Sequence, residues 1–170
     1  MNVLVWLMEG TWPATVDAAR DLTDPAAEVT LLHVIDPGVA GSAHGAFAGL
    51  LGRGARRTDP GAEIEAAETE AESRLLTAAA QRLGRPARTA TRRGRLEREV
   101  TAACQNADLL ITARDGDLQR VGPRSLGPPT RFVVDHAPCT VLLVWPQPPA
   151  NTQPPPPPPH PPHHPHHPPE

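Results

Sequence analysis

The residues best suited to chemistry by type stand at the end of the chain. His160, His163, His164, His166 and His167 fall within PPPPPPHPPHHPHHPPE (154–170). Neutral imidazoles ligate Ni²⁺, Zn²⁺ and Cu²⁺, so this stretch reads as a transition-metal site. No acidic residue or cysteine stands between the histidines, which makes the expected site loose and of mixed stoichiometry. The intervening prolines favour an extended, semi-rigid helix without a core. His33 and His136 have no nucleophile beside them and read as structural histidines. Cys104 and Cys139 match no zinc spacing and are too few for a disulfide scaffold. The chain holds no H-E-x-x-H pattern, no Gly-Lys-[Ser/Thr] phosphate loop and no hydrolase elbow. The sequence therefore predicts no enzyme and no catalytic residue.

The elements that must position any site lie before Pro146. Of 170 residues, the last 25 hold 14 of the 23 prolines and five of the eight histidines. Residues 1–145 form one domain-sized unit, and 146–170 a disordered Pro/His-rich tail. The body carries 16 arginines and no lysine against 18 acidic residues, a net charge of −2. Near-neutrality argues against nucleic acid as a partner, as do only five aromatic residues and no Tyr. Seven arginines between Arg82 and Arg98 span a helix end, a strand and a helix start, so they read as a solvated rim. No apolar run approaches the ~20 residues of a membrane span. MNVLVWLMEG lacks a basic leader, so the expected compartment is the cytoplasm, with no membrane partner.

VLVWLM (3–8) and EVTLLHVI (28–35) are unbroken apolar runs, the pattern of strands buried on both faces. Between them, Thr11 is expected to cap a helix through Leu22, with Trp12, Val16, Ala19 and Leu22 inward. Residues 37–61 form a long Gly/Ala-rich connection with Arg53, Arg56 and Arg57. A helix over 62–83 follows, with Ile64, Ala67, Ala71, Leu75 and Ala78 as its stripe and Gly84 as its stop. ARTATR (87–92) reads as an edge-like strand, 96–107 as a helix and DLLIT (108–112) as a buried strand. A Gly/Pro/Arg loop (113–129), a short helix (130–136) and TVLLVW (140–145) complete the order. Alternating strands and helices imply a parallel sheet covered on both faces, an α/β three-layer fold. Such sheets bind ligands beyond the carboxyl ends of their strands, where strand order reverses. Residues 9–11, 34–38 and 113–130 meet there.

Three stretches then carry a family resemblance: EVTLLHVID (28–36), ADLLIT (107–112) and DHAPCTVLLV (135–144). In this order and spacing they resemble the universal stress protein family across residues 2–145. The resemblance implies a five-stranded, Rossmann-like sheet of the adenine-nucleotide alpha-hydrolase-like type. It also implies a homodimer paired through the last strand, a regulatory stress-response role with an unidentified protein partner, and ATP as ligand. The family's phosphate loop reads G-x2-G-x9-G-[Ser/Thr]. Here the matching stretch begins with Ala113 in place of the first glycine. It continues through Gly116, spaces Gly127 one residue too far, and replaces Ser/Thr with Pro128, followed by Pro129.

Proline has no N–H to offer a phosphate at a helix start. Two lost bonds at about 1.5–3 kcal/mol each would weaken binding by about two to four orders of magnitude. Asp115 adds a negative charge that Arg114, Arg120 and Arg124 are placed in sequence to offset. By resemblance, Glu9 would meet the ribose or base and Val34 adenine, while Gly116, Gly127 and Thr130 would hold phosphates. Counting along the first strand without a gap puts Met8 in the place of Glu9. The expected function is thus a stress-response regulator with a degenerate ATP loop. The alternative is a metal-binding protein acting through its histidine tail.

Overall fold

The structure, a computed structural model, describes residues 1–36, 60–119 and 122–146, with side chains of the long helix described from Ala67 onward. The long connection with its arginines and the histidine tail lie outside the described residues. Five strands form one parallel sheet in the order β3-β2-β1-β4-β5: β1 (Asn2–Leu7), β2 (Glu28–Ile35), β3 (Arg88–Arg93), β4 (Leu109–Ala113) and β5 (Thr140–Val144). The chain runs outward from β1 to β3, then crosses back to β4 and β5. Strand order therefore reverses between β1 and β4.

Alternation along each strand feeds two layers. Val3, Val5 and Leu7 of β1 join Val29, Leu31 and Ile111 under helices α1 (Trp12–Leu22) and α2 (Pro60–Leu83). Leu4 and Trp6 join Leu32, Val34 and Leu110 on the other face. There they pack against α3 (Leu96–Ala103), a following 3₁₀ turn (Cys104–Asn106) and α4 (Pro128–His136). Both faces of β1 are sealed, which is why its apolar run is unbroken.

Several expectations shift. The Thr11 side chain does not cap α1; its hydroxyl donates back to the Met8 carbonyl at 3.4 Å. Leu22 is exposed, and the buried Thr23 takes its place. Two successive three-residue steps rotate Leu22 off the inward face, whereas Thr23, four after Ala19, stays on it. The inward stripe of α2 is Leu75, Leu76, Ala79, Ala80 and Leu83, whereas Ala67 and Ala71 are exposed and Ala78 is half-buried. A helix of 24 residues spans ~36 Å, and a strand of eight only ~27 Å. Only the second half of α2 finds sheet beneath it.

The predicted helix over 96–107 is α helix only to Ala103, finishing as the 3₁₀ turn. The last helix begins two residues earlier than expected. Pro128 and Pro129 form its first turn, where the N–H groups have no partner within the helix and the fixed φ of proline suits the start.

Candidate functional site

The carboxyl ends of β1 and β4 bring the turn after β1, the end of β2 and the loop after β4 to one rim of the sheet. Leaving β4, Arg114 continues the ladder, its N–H donating to the Val144 carbonyl at 3.0 Å. The loop then folds back on itself. Gly116 N–H donates to Ser125 O at 3.0 Å and Asp117 N–H to Arg124 O at 2.8 Å. This approach is so close that a Cβ on Gly116 would lie 2.4 Å from the Arg124 carbonyl oxygen.

At the centre sits the Asp115 carboxylate. Its Oδ1 accepts from Gly127 N–H at 2.7 Å and its Oδ2 from the Thr130 hydroxyl at 2.9 Å. Gly127 is the N-cap of α4 and Thr130 is fully buried in its first turn. The carboxylate therefore lies at the positive end of the helix dipole. A Cβ on Gly127 would stand 2.7 Å from Asp115 Oδ2, so no larger residue fits while the carboxylate is seated.

The arginines do not perform the expected offset. The Arg114 guanidinium donates to the buried Ser125 hydroxyl and lies 4.7 Å over the Trp145 ring. Arg124 is exposed, and Arg120 lies outside the described residues. Amide and hydroxyl donors hold Asp115 instead. Ser125, itself fully buried, donates its hydroxyl to Gly122 O at 2.6 Å and so completes the loop.

The structure thus gathers Gly116, Gly127 and Thr130, as the family spacing implies, but all three named donors serve partners within the loop. Glu9 is exposed on the turn after β1. Met8 faces the site, with its sulfur 3.9 Å from the Thr130 hydroxyl oxygen, as ungapped counting along β1 allows. Val34 is buried beside Trp6 and Leu32 and pairs with Arg92, one step past the last β1–β2 pair, Leu7 with His33. Thr112 is fully buried near the end of β4, and its hydroxyl has no protein partner.

Asp115 as the hub and Met8 as a wall are what motif matching left out of the residue set. The signal for Asp115 was an acid in a loop otherwise built for anions. The Asp115 carboxylate already occupies the Gly127 amide and the Thr130 hydroxyl, two of the groups a phosphate would need.

The other candidates are dispersed. His33 Nδ1 lies 3.4 Å from Leu7 O, and His136 Nδ1 2.8 Å from Phe132 O at the far end of the sheet. His136 also stacks on Phe132. Among the described residues no group of three or more His, Cys, Asp or Glu is placed to hold a metal. His160, His163, His164, His166 and His167 lie outside them. A cleft of about 290 Å³ opens at the amino ends of β1–β3, but its Arg88 is paired with Glu28 at 3.1 Å. Arg92, also on its wall, is paired with Glu99 at 3.7 Å. Among the described residues no helix is long and apolar enough to cross a membrane.

Similarity to known proteins agrees with this architecture. No curated protein matches the chain. Among solved structures, the hypothetical protein MJ0577 superposes with a TM-score of 0.63 at 18% identity, covering 85% of this chain and 94% of that one. The universal stress protein UspA from Lactobacillus plantarum gives 0.52 at 21%, over 85% and 97%. A universal stress protein solved in complex with cAMP gives 0.52 at 17%, over 86% and 98%. At such identities these likenesses establish the fold. The sequence profile of the universal stress protein family matches residues 8–144, taking in every strand but β1. With the parallel five-stranded sheet and the loop after β4 in their places, the chain belongs to the universal stress protein family.

Proposed function

We propose that this protein is a non-catalytic stress-response regulator whose carboxyl-end site has lost tight binding of nucleotide phosphates. The observation that carries this reading is the closed loop: Gly127 N–H and the Thr130 hydroxyl both donate to Asp115. Gly116 N–H donates to Ser125 O, and the two prolines contribute no N–H. Five donors that could meet an anion are thus absent or engaged. The adenosine half would lie beside half-buried Met8 and exposed Glu9, with Val34 buried at the end of β2 behind them. A relative crystallised with cAMP supports a nucleotide rather than a metal as the ligand class for this end of the sheet.

The reading includes a cytoplasmic homodimer joined edge to edge through β5. Val141, Leu142, Leu143 and Val144 of that strand are half-buried along one edge of the sheet, a surface that a second strand would cover. Calorimetric titration of the full chain with Mg²⁺-ATP, after chelator dialysis to clear the histidine tail, tests the phosphate claim. The expected result is no saturation below about 1 mM, since even two missing charge-assisted bonds cost about two orders of magnitude or more. A micromolar dissociation constant would overturn it.

A further inference from the structure

We propose that Asp115 is the specificity-determining residue of the loop, a built-in anion whose removal opens the position to polyphosphate. The proposal rests on the reading of the carboxyl-end rim as a nucleotide site, and it assigns the loss of phosphate affinity to one side chain.

Three observations carry it. First, Asp115 accepts from two donors at once: Gly127 N–H at 2.7 Å, the length of a charge-assisted bond, and the Thr130 hydroxyl at 2.9 Å, within ordinary hydrogen-bond reach. The donors are set at the start of a nine-residue helix, as an oxyanion ligand would require. Second, the cradle is cut to the carboxylate. Gly127 admits it only because it lacks a Cβ, which would stand 2.7 Å from Oδ2. Third, the neighbouring cation is held elsewhere: Arg114 is engaged by Ser125 and Trp145, and Asp115 forms no ion pair with another described residue. The negative charge at the helix start is therefore balanced by backbone and hydroxyl dipoles, the same groups an external phosphate would need.

The prolines play a lesser part. They fill the first turn without disturbing Gly127 or Thr130, so those two donors survive and are masked rather than missing. An incoming polyphosphate meets both the loss of these donors and repulsion from a carboxylate at contact distance. Replacing the prolines leaves both obstacles in place, whereas removing the carboxylate lifts both.

The test titrates full-length wild type, Asp115→Ala, Asp115→Asn and Asp117→Ala with inorganic tripolyphosphate and, separately, with Mg²⁺-ATP, after confirming cooperative thermal unfolding of each. Asp115→Ala is expected to bind tripolyphosphate at least tenfold more tightly than wild type. Adding Thr130→Val to it should erase most of that gain. Asp117→Ala removes an equal charge two residues away and should gain nothing. A Pro128→Ser/Pro129→Ser pair with Asp115 retained should gain less than threefold.

A folded Asp115→Ala with unchanged affinity would overturn the proposal, as would an equal gain in Asp117→Ala. Should the alanine variant not fold, Asp115→Asn keeps the side chain's shape and drops its charge, and no gain there would also overturn it. A tripolyphosphate gain with no tighter binding of ATP than of tripolyphosphate would uphold the role of Asp115 and reject the nucleotide reading. Micromolar ATP binding by wild type would reject the role of Asp115 and leave the nucleotide site standing.

Discussion

The two ends of this parallel sheet are closed by different means. At the amino ends, backbone and short polar bonds tie strand to strand. Asp108 N–H donates to Asn2 O at 2.8 Å, and the Asn2 N–H donates to Asp108 Oδ2 at 2.7 Å. Cys104 and Cys139 lie against one another at the edge of the apolar layer beneath α3 and α4. At the carboxyl ends, a charged group is seated between two donors at the start of the next helix. The first arrangement satisfies groups that any folded sheet must satisfy. The second places a carboxylate where parallel sheets present their ligand-binding crevice, which marks it as the end where specificity is decided.

Breaking the carboxyl end should have the largest effect. Besides its gain for tripolyphosphate, Asp115→Ala gives up two charge-assisted bonds. With the side chain half-exposed, the expected cost is about 1–3 kcal/mol of stability, read as a lower midpoint in urea without a change of slope. Next comes Ser125→Ala. The hydroxyl is buried, donates to Gly122 O at 2.6 Å and receives Arg114, so its loss should cost about 1–2 kcal/mol. Binding of Mg²⁺-ATP should stay undetectable in that variant, because Asp115 keeps its seat. An affinity gain there would mean that Ser125, rather than Asp115, closes the loop.

A pH titration sharpens the other end. Burial, followed by the neighbouring Cys139, pushes the Cys104 thiol up to about 12 from an ordinary 9.0. A group that ionises more readily when unfolded favours the native state until the unfolded thiol begins to lose its proton. Its contribution is therefore full below pH 9 and falls away between pH 9 and 12. Alkylation at pH 8 should correspondingly spare Cys104 in the native protein and modify it after denaturation, read by mass spectrometry of the peptides. Cys104→Ser should flatten this alkaline loss. Smallest of all, Glu9→Ala should change stability by less than about 0.5 kcal/mol, since the residue is exposed on a turn. If the same substitution altered nucleotide affinity in an Asp115→Ala background, Glu9 would regain the ribose role that its place beside the glycine turn implies.

The strands were legible because burial on both faces leaves little room for polar residues: VLVWLM and EVTLLHVI announce themselves. Helix faces were harder to read. Ala is compatible with either side, so the stripe on α2 was set by where the sheet ends, a fact no window of sequence contains. Leu22 shows the same limit at a helix terminus. The site was legible as a location, because glycines and a helix start fall at family-like spacing. Its chemical state was not. Asp115 and Gly127 are 12 residues apart, and only the folded loop turns an awkward acid into the acceptor of that amide. The prolines, conspicuous in sequence, proved compatible with the helix start.

The overhang of α2 also divides one helix into two regimes of opening. From Leu75 to Leu83 its side chains are stitched into the layer beneath α1, so amides there exchange with solvent deuterium only when that layer comes apart. From Ala67 to Arg74 most side chains face water, and an i,i+4 pair such as Glu70 with Arg74 at 3.4 Å adds only a few tenths of a kcal/mol. Those amides should exchange by fraying of the helix end, orders of magnitude faster, so a single uninterrupted helix would display a sharp step in protection at Leu75.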